Sequence, residues 1–423
     1  MADALIAMRA LHFAATLIAS GTVIFMVLIG EPAGASVPPA SFRHLRRRAN
    51  LLILNALAVA LVTGAAWLVL LSADILGVSP FAALGNASWT VLTETRFGWI
   101  WLTRFALALV LIALVMRGSL AALQLVIAAV FVAALALAGH AGAVPGFAGD
   151  LHRASDTAHL LAAAAWLGGL PGFVLAVAVA RNAGGKPWNT FVVGMTQRFS
   201  ILGILCVAAL FASGLVNSWN LLAGPRDLWT TTYGKLIATK IVLFALMILV
   251  AAYNKFRLTP RLPARNALRR LERSTFAEIG LGLCVLAAVA VVGTTEPPAH
   301  VHAHVDVHPQ PLAIPPDAAF VHIHDLEAMA DVTIEPGHVG RARASIRVSR
   351  EDFSPYPAKA VKLSLEPPKP AGGGIDSMAV EHDESWTVND FVLDHPGNWT
   401  VCVTIIKRSG ETITLNAPVV IER

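Results

Sequence analysis

Residues 198–219 read "RFSILGILCVAALFASGLVNSW". Between Arg198 and Trp219 no side chain carries a formal charge. A helix of this length rises about 30 Å, the thickness of a bilayer's hydrocarbon core. The stretch therefore reads as a membrane crossing, and the chain around it repeats the pattern. Eight apolar runs can be marked, at about 6–30, 50–72, 96–116, 119–139, 155–180, 198–221, 233–254 and 275–295. Composition agrees: 56% of the 423 residues are apolar and 14% charged, against about 25% charged in a soluble domain. The expected class is a polytopic α-helical membrane protein with eight transmembrane helices.

Charge sorts the ends of these spans. Residues 1–298 hold 22 Lys and Arg against 10 Asp and Glu, whereas residues 299–423 hold 10 against 17. The basic residues of the first part cluster in alternate loops. Arg43, Arg46, Arg47 and Arg48 follow the first span, Arg117 the third, and Arg181 and Lys186 the fifth. Seven more, from Lys255 to Arg273, follow the seventh. Positive loops stay in the cytoplasm, so both termini are expected outside it. The first span lacks a basic leader and a small-residue cleavage site, so it is expected to remain as a helix. The basic residues lie between spans, which gives no reason to expect a nucleic-acid partner; the partner they imply is lipid.

The texture changes after the last span. Residues 296–316, "EPPAHVHAHVDVHPQPLAIPP", are rich in proline and histidine and read as an extended linker. From 317 to 423 come short alternating segments such as "ADVTIEP", "AVKLSLEP" and "NWTVCVTIIK". Val, Ile and Thr runs separated by Pro, Gly and Asn indicate a small all-β sandwich of about seven strands.

The membrane part of residues 1–295 repeats itself. His12 has a glycine nine residues on at Gly21, and His159 has one at Gly168. Arg48 and Gly64 are separated by the same interval as Arg198 and Gly214. Phe97, Gly98 and Arg104 match Tyr233, Gly234 and Lys240. Residues 1–145 and 150–295 are thus expected to be two four-helix repeats. An even number of spans per unit makes them parallel.

This topology places nearly all histidines on the outer side. His12 lies in the first span, His140 ends the fourth, and His152 and His159 enter the fifth. Met8 shares a helix face with His12, as Asp156 does with His152 and His159. The linker adds His300, His302, His304 and His308, and the tail adds His322 and His324. Imidazole with thioether suits copper, as Cu(I) or Cu(II). Solvated interfacial histidines are the plainer alternative. Arg104 and Lys240 lie about 12 Å inside their helices. Cations at that depth suggest function, such as holding an anion or a haem propionate, or else snorkel to the surface. Cys206, Cys284 and Cys402 form no CxxC pair and read as small buried apolar residues. Glu278 is open between an ion pair and a proton carrier. No nucleophile motif, phosphate loop or metalloprotease motif is present, so an enzyme is not expected.

Four stretches carry a family resemblance: "DTAHLLAAAAWLGGL", "RFSILGILCVAALFASGLVNSW", "TTYGKLIATKIVLFALMILVAAYNKFRLTPRL" and "RRLERSTFAEIGLGLCVLAAVAV". Together they resemble the copper resistance protein D (CopD) family. The tail, through "HIHDLEAMADVTIEPG", resembles the YtkA-like β domains that some members carry. The resemblance implies a bacterial inner-membrane protein of copper handling, with both termini periplasmic and copper moving from periplasm to cytoplasm. No CopC domain precedes Met1, so a periplasmic chaperone of CopC type or the histidine-rich tail is expected to deliver the metal. The placement of histidine in the first helix and a cation in the third also resembles the HemJ type of protoporphyrinogen oxidase. That alternative implies haem b or a porphyrin held by His12 with Arg104 and His159 with Lys240, in a redox protein. A third reading, a membrane-anchored metal sensor or scavenger, needs fewer spans than the chain has.

Overall fold

The structure is a computed structural model. It describes the chain except residues 1, 76–78, 139–145, 222–223, 225, 294, 296–316, 325–327, 351–354, 369–372, 383–384 and 423. The chain divides into two compact units, Met1–Val301 and His302–Arg423.

The first unit is helical. Its main helices are α1 (Ala2–Phe25), α2 (Pro39–Ile75), α3 (Arg96–Arg117), α4 (Ala121–Ala133), α5 (Gly146–Trp166), α6 (Leu170–Ala183), α7 (Gly185–Leu221), α8 (Thr232–Tyr253) and α9 (Arg265–Val292). Seven described helical segments are long and apolar enough to cross a membrane. They cover seven of the eight expected spans. The fourth is represented by α4, whose 13 residues rise only about 20 Å. Ile201, Leu205, Phe211 and Leu215 stand exposed along α7. Such a continuous apolar outer face requires lipid rather than water.

Three boundaries differ from expectation, each for a local reason. The basic segments before spans two and eight are not loops: helix begins at Pro39 and at Arg265. Arginine is a good helix former, so these helices run on past the apolar stretch. The fifth span is two helices, interrupted at 167–169. Gly168, Gly169 and Pro171 fall together there, and a proline near a helix start is tolerated where one inside is not.

Two apolar clusters fill the helical unit. One joins Ala15, Ala19 and Val23 of α1 to Leu57 of α2, Leu111 of α3 and Phe131 of α4. The other joins Leu17 and Phe25 of α1 to Trp166, Phe173, Phe199 and Met247 of the later helices. Helix α1 thus serves both. It meets the α5–α6 break at glycine: a Cβ on Gly21 would lie 2.2 Å from the Gly168 carbonyl carbon, and one on Gly168 would lie 2.0 Å from the Leu17 oxygen. The backbones touch, and no other residue fits at either position.

The second unit has nine described strands: β1 (Ala319–His324), β2 (Met329–Glu335), β3 (Gly340–Ser349), β4 (Ala358–Glu366), β5 (Ile375–Met378), β6 (Val380–His382), β7 (Ser385–Leu393), β8 (Gly397–Lys407) and β9 (Thr412–Ile421). They form antiparallel sheets ordered β1-β2-β3-β7-β6 and β5-β4-β8-β9. Alternate residues such as Val332, Ile346, Leu363, Val401 and Val403 face one shared core. This is the expected sandwich, with nine described strands against the expected seven or so. One of the additional strands arises at "SMAVEH", where a break at Ala379 separates β5 and β6 into different sheets.

Candidate functional site

His12 and Arg104 meet inside the first four helices. Both are almost fully buried, at 2% and 1% exposure. The His12 Nδ1 lies 3.0 Å from the Ala60 carbonyl oxygen. A carbonyl only accepts, so this nitrogen carries the proton. The free lone pair on Nε2 accepts from Arg104 Nη2 at 2.8 Å. Arg104 also donates to the Phe131 carbonyl at 2.5 Å and to Thr16 Oγ1 at 3.2 Å. Its guanidinium packs 4.5 Å from the Phe131 ring centre and 5.6 Å from that of Trp101, which adds cation–π attraction. One cation thereby ties α3 to α1 and α4, and its histidine partner ties α1 to α2. Arg104 does not snorkel to the surface.

This half is sealed. Trp67 and Trp101 enclose the imidazole, with ring centres 5.8 and 4.9 Å away. Gly64 makes room for it: a Cβ there would meet Trp101 at 2.7 Å and His12 Cε1 at 3.2 Å. The gap among His12, Trp101, Arg104 and Phe131 does not admit a water molecule. Both ring nitrogens of His12 are engaged. The His12 half of the haem alternative therefore has neither the space nor the free axial nitrogen it needs.

The second half is built from corresponding positions and has a different character. His159 Nδ1 lies 2.9 Å from Ser213 Oγ, as His12 Nδ1 lies 3.3 Å from Thr63 Oγ1. Each hydroxyl also donates four residues back, to the Ala209 and Val59 carbonyls. Helices α3 and α8 start alike, with Thr95 and Thr231 accepting from the Gly98 and Gly234 amides. Around His159, however, there is a carboxylate. Asp156 accepts from Asn217 Nδ2 at 2.5 Å and lies 3.5 Å from His152 Nε2. Lys240 is within electrostatic reach of Asp156 and His159. His159, Asp156 and Lys240 are half-buried.

Arg9 stands three residues before His12, where Asp156 stands three before His159. It donates to the Gly293 carbonyl at 2.7 Å and packs over Trp67.

The other expected site residues are dispersed. Met8 is half-buried one turn before His12. His140, His300, His302, His304 and His308 lie outside the described residues. His322 is exposed on β1 with its Nδ1 2.6 Å from Asp331 Oδ1. His324 ends the same strand. Cys206 is buried, but Cys284 is exposed, which corrects its reading as a buried residue; all three cysteines are free. Among the described residues no three His, Cys, Asp or Glu side chains are arranged to hold an ion. Thr63, Ser213 and Asn217 are the partners that sequence reading missed. A hydroxyl residue directly before Gly64 and Gly214 was the available signal.

A multi-pass helical membrane protein with an imidazole and a cation buried in its bundle is the class these features define. The chain belongs to the copper resistance protein D family. The family model "Copper resistance protein D" matches residues 193–292, and "Copper resistance protein D-like, N-terminal domain" matches residues 1–150. "Copper resistance protein D" of Pseudomonas syringae pv. tomato is 30% identical over 245 residues, covering 54% of this chain and 78% of the relative. "Inner membrane protein YebZ" of Escherichia coli (strain K12) is 27% identical over 296 residues, covering 69% of this chain and 98% of the relative. "Copper transport protein CutJ" of Bacillus subtilis (strain 168) is 25% identical over 261 residues, covering 59% and 43%. These names describe resistance and transport rather than catalysis, in line with the expectation of a non-enzyme. No solved structure matches the chain.

Proposed function

We propose that this protein carries copper across the bacterial inner membrane, from periplasm to cytoplasm, through its second half. The observation that carries this reading is Asp156. A lone cation at the depth of Lys240 would repel a metal ion; a carboxylate beside it offsets that charge. His152, Asp156 and His159 lie on one face of α5 and offer the imidazole and carboxylate donors that copper accepts. In the first half Arg9 and Arg104 supply two cations, His12 has no free lone pair, and the interior is closed. That half holds the bundle together rather than conducting the ion.

The matched hydroxyl–imidazole contacts and helix starts support two parallel four-helix repeats, with α4 as the short fourth crossing of eight. Orientation follows from the basic segments, with both termini periplasmic. His300, His302, His304 and His308, with His322 and His324, act as a tethered collector that raises copper concentration near the entrance. Met8 and His140 are proposed as further copper donors on the periplasmic side. A CopC-type chaperone is the proposed donor, and the sandwich unit is proposed to be YtkA-like.

Asp156→Asn tests the central claim. Copper accumulation in cells should fall at every external copper concentration, with unchanged membrane expression. Accumulation equal to wild type would remove Asp156 from the route. Cysteine labelling tests orientation: Arg261→Cys should react only from the cytoplasm and His395→Cys only from the periplasm. Reaction of both from one side breaks the eight-crossing topology.

A further inference from the structure

A cavity of about 280 Å³ lies among α6, α7, α8 and α9, apart from the histidine sites. Its walls are largely apolar, with Trp166, Phe173 and Phe199 among them. Thr196, Asn254 and Glu278 add polar groups to it. Glu278 is 3% exposed. The basic stretch Arg265–Arg273 precedes it in α9, and the apolar stretch begins at Ser274, so Glu278 lies about 6 Å, one turn, inside.

Three features distinguish this carboxyl group. First, it has a dedicated holder. Asn254 Nδ2 donates to Glu278 Oε2 at 2.9 Å. The Asn254 Oδ1 in turn accepts from Ser274 Oγ, which fixes the amide's orientation. Asn254 also opens a π-helical turn, Asn254–Leu258, at the end of α8, a distortion that often marks a functional position. Second, the Thr196 hydroxyl on α7, 5% exposed, lines the same cavity with no hydrogen-bond partner. It has a proton to give and lone pairs to receive one.

Third, no cation pairs with Glu278 among the described residues. From α6, Arg181 is held by Glu272 at 2.6 Å. From α1, Arg9 is held by the Gly293 carbonyl, at the far end of α9. On α7, Arg198 is exposed. From the π-turn, Lys255 lines the cavity and rests over the Phe256 ring at 5.6 Å, and Phe256 is 70% exposed. The cavity therefore reaches the surface at the basic turn.

A carboxylate that is almost fully buried, with no cation paired to it among the described residues, is cheaper as the neutral acid. We propose that Glu278 is a proton-binding site that couples copper passage to proton movement. In one state the carboxyl holds its proton, facing the cavity that the Thr196 hydroxyl also lines. In the other the O–H bond breaks, the proton leaves to water at the Lys255–Phe256 end, and Thr196 and Asn254 donate to the carboxylate. No oxidant or reductant is required. The coupling rests on the copper-transport reading; the proton site does not.

Two measurements on the full-length protein separate these. Infrared spectra of purified protein at neutral pH should show a protonated-carboxyl stretch that Glu278→Gln removes and Thr196→Val shifts. A spectrum unchanged by Glu278→Gln overturns the proton site. In proteoliposomes, copper entry should produce an internal pH change and depend on pH, and Glu278→Gln should abolish both while leaving the protein folded. Glu278→Gln uptake with wild-type pH dependence overturns the coupling. If wild-type vesicles take up no copper, the transport reading and the coupling both fail, and the infrared result alone decides the proton site.

Discussion

The two histidine sites start from matched positions and reach opposite states. In the first, Arg104 takes the lone pair of His12, tryptophan closes around the ring, and no water fits. In the second, Asp156 replaces the outer arginine, the cation is a lysine, and the side chains remain half-buried. Arginine's planar fork, with five donors, is suited to tying several acceptors at once; lysine is a compact charge on a flexible stem. The difference teaches that matched positions can keep the same hydroxyl–imidazole contact and helix start while a few neighbouring side chains change the character of the site: one tied through an arginine, the other set beside a carboxylate.

The sharpest way to break this comparison is to remove each imidazole in turn. His159→Ala should lower maximal copper accumulation about tenfold or more, equivalent to losing about 1.4 kcal/mol or more of stabilisation, with normal folded yield. His12→Ala should act on folding instead, because it strips a partner from buried Arg104 at a cost of about 1–3 kcal/mol. Copper uptake per folded molecule should change little. Fluorescence-detected size exclusion, run beside copper accumulation, separates the two effects. The reverse pattern would exchange the roles assigned to the halves.

Glycine substitutions probe the same contrast more gently. A methyl at Gly64 would press on Trp101 at 2.7 Å, whereas at Gly214 the nearest atom is His159 Cε1 at 4.0 Å. Gly64→Ala should therefore cost about 1–3 kcal/mol by overpacking. Gly214→Ala should be neutral or gain up to about 1 kcal/mol from helix propensity. Equal thermal shifts in detergent would mean that both halves are packed alike. The smallest effect is expected in the linker. Replacing His300, His302, His304 and His308 with Ala should raise the copper needed for half-maximal uptake severalfold and leave the maximum intact, because a collector changes local concentration only. A lowered maximum would place these histidines in the route itself.

Much of this architecture was legible in the chain. Uncharged runs located the crossings, and "GGLP" at 168–171 held the signal for the break after α5, although a single span was expected there. Helical arginines beyond the apolar stretches were not legible, because hydropathy marks where lipid ends, not where helix ends. The repeat in His12, Gly21 and Arg104 could be seen as spacing. The bond from Arg104 to His12, between residues 92 positions apart, could not, since nothing local distinguishes a cation that reaches inward from one that snorkels outward. Thr63 and Ser213 were passed over for a related reason: a hydroxyl in a helix usually bonds its own backbone, and both do so while also serving the imidazole.

The contact between Gly21 and Gly168 has a mechanical consequence. Two backbones that touch without intervening side chains leave nothing compressible between them, so one half can turn on the other there but cannot slide closer. The crossing is a fulcrum. Each histidine stands nine residues along its helix from that point, a lever arm of about 14 Å. A rotation of about 10° would displace either imidazole by about 2 Å, enough to make or break a hydrogen bond while the pivot itself stays still.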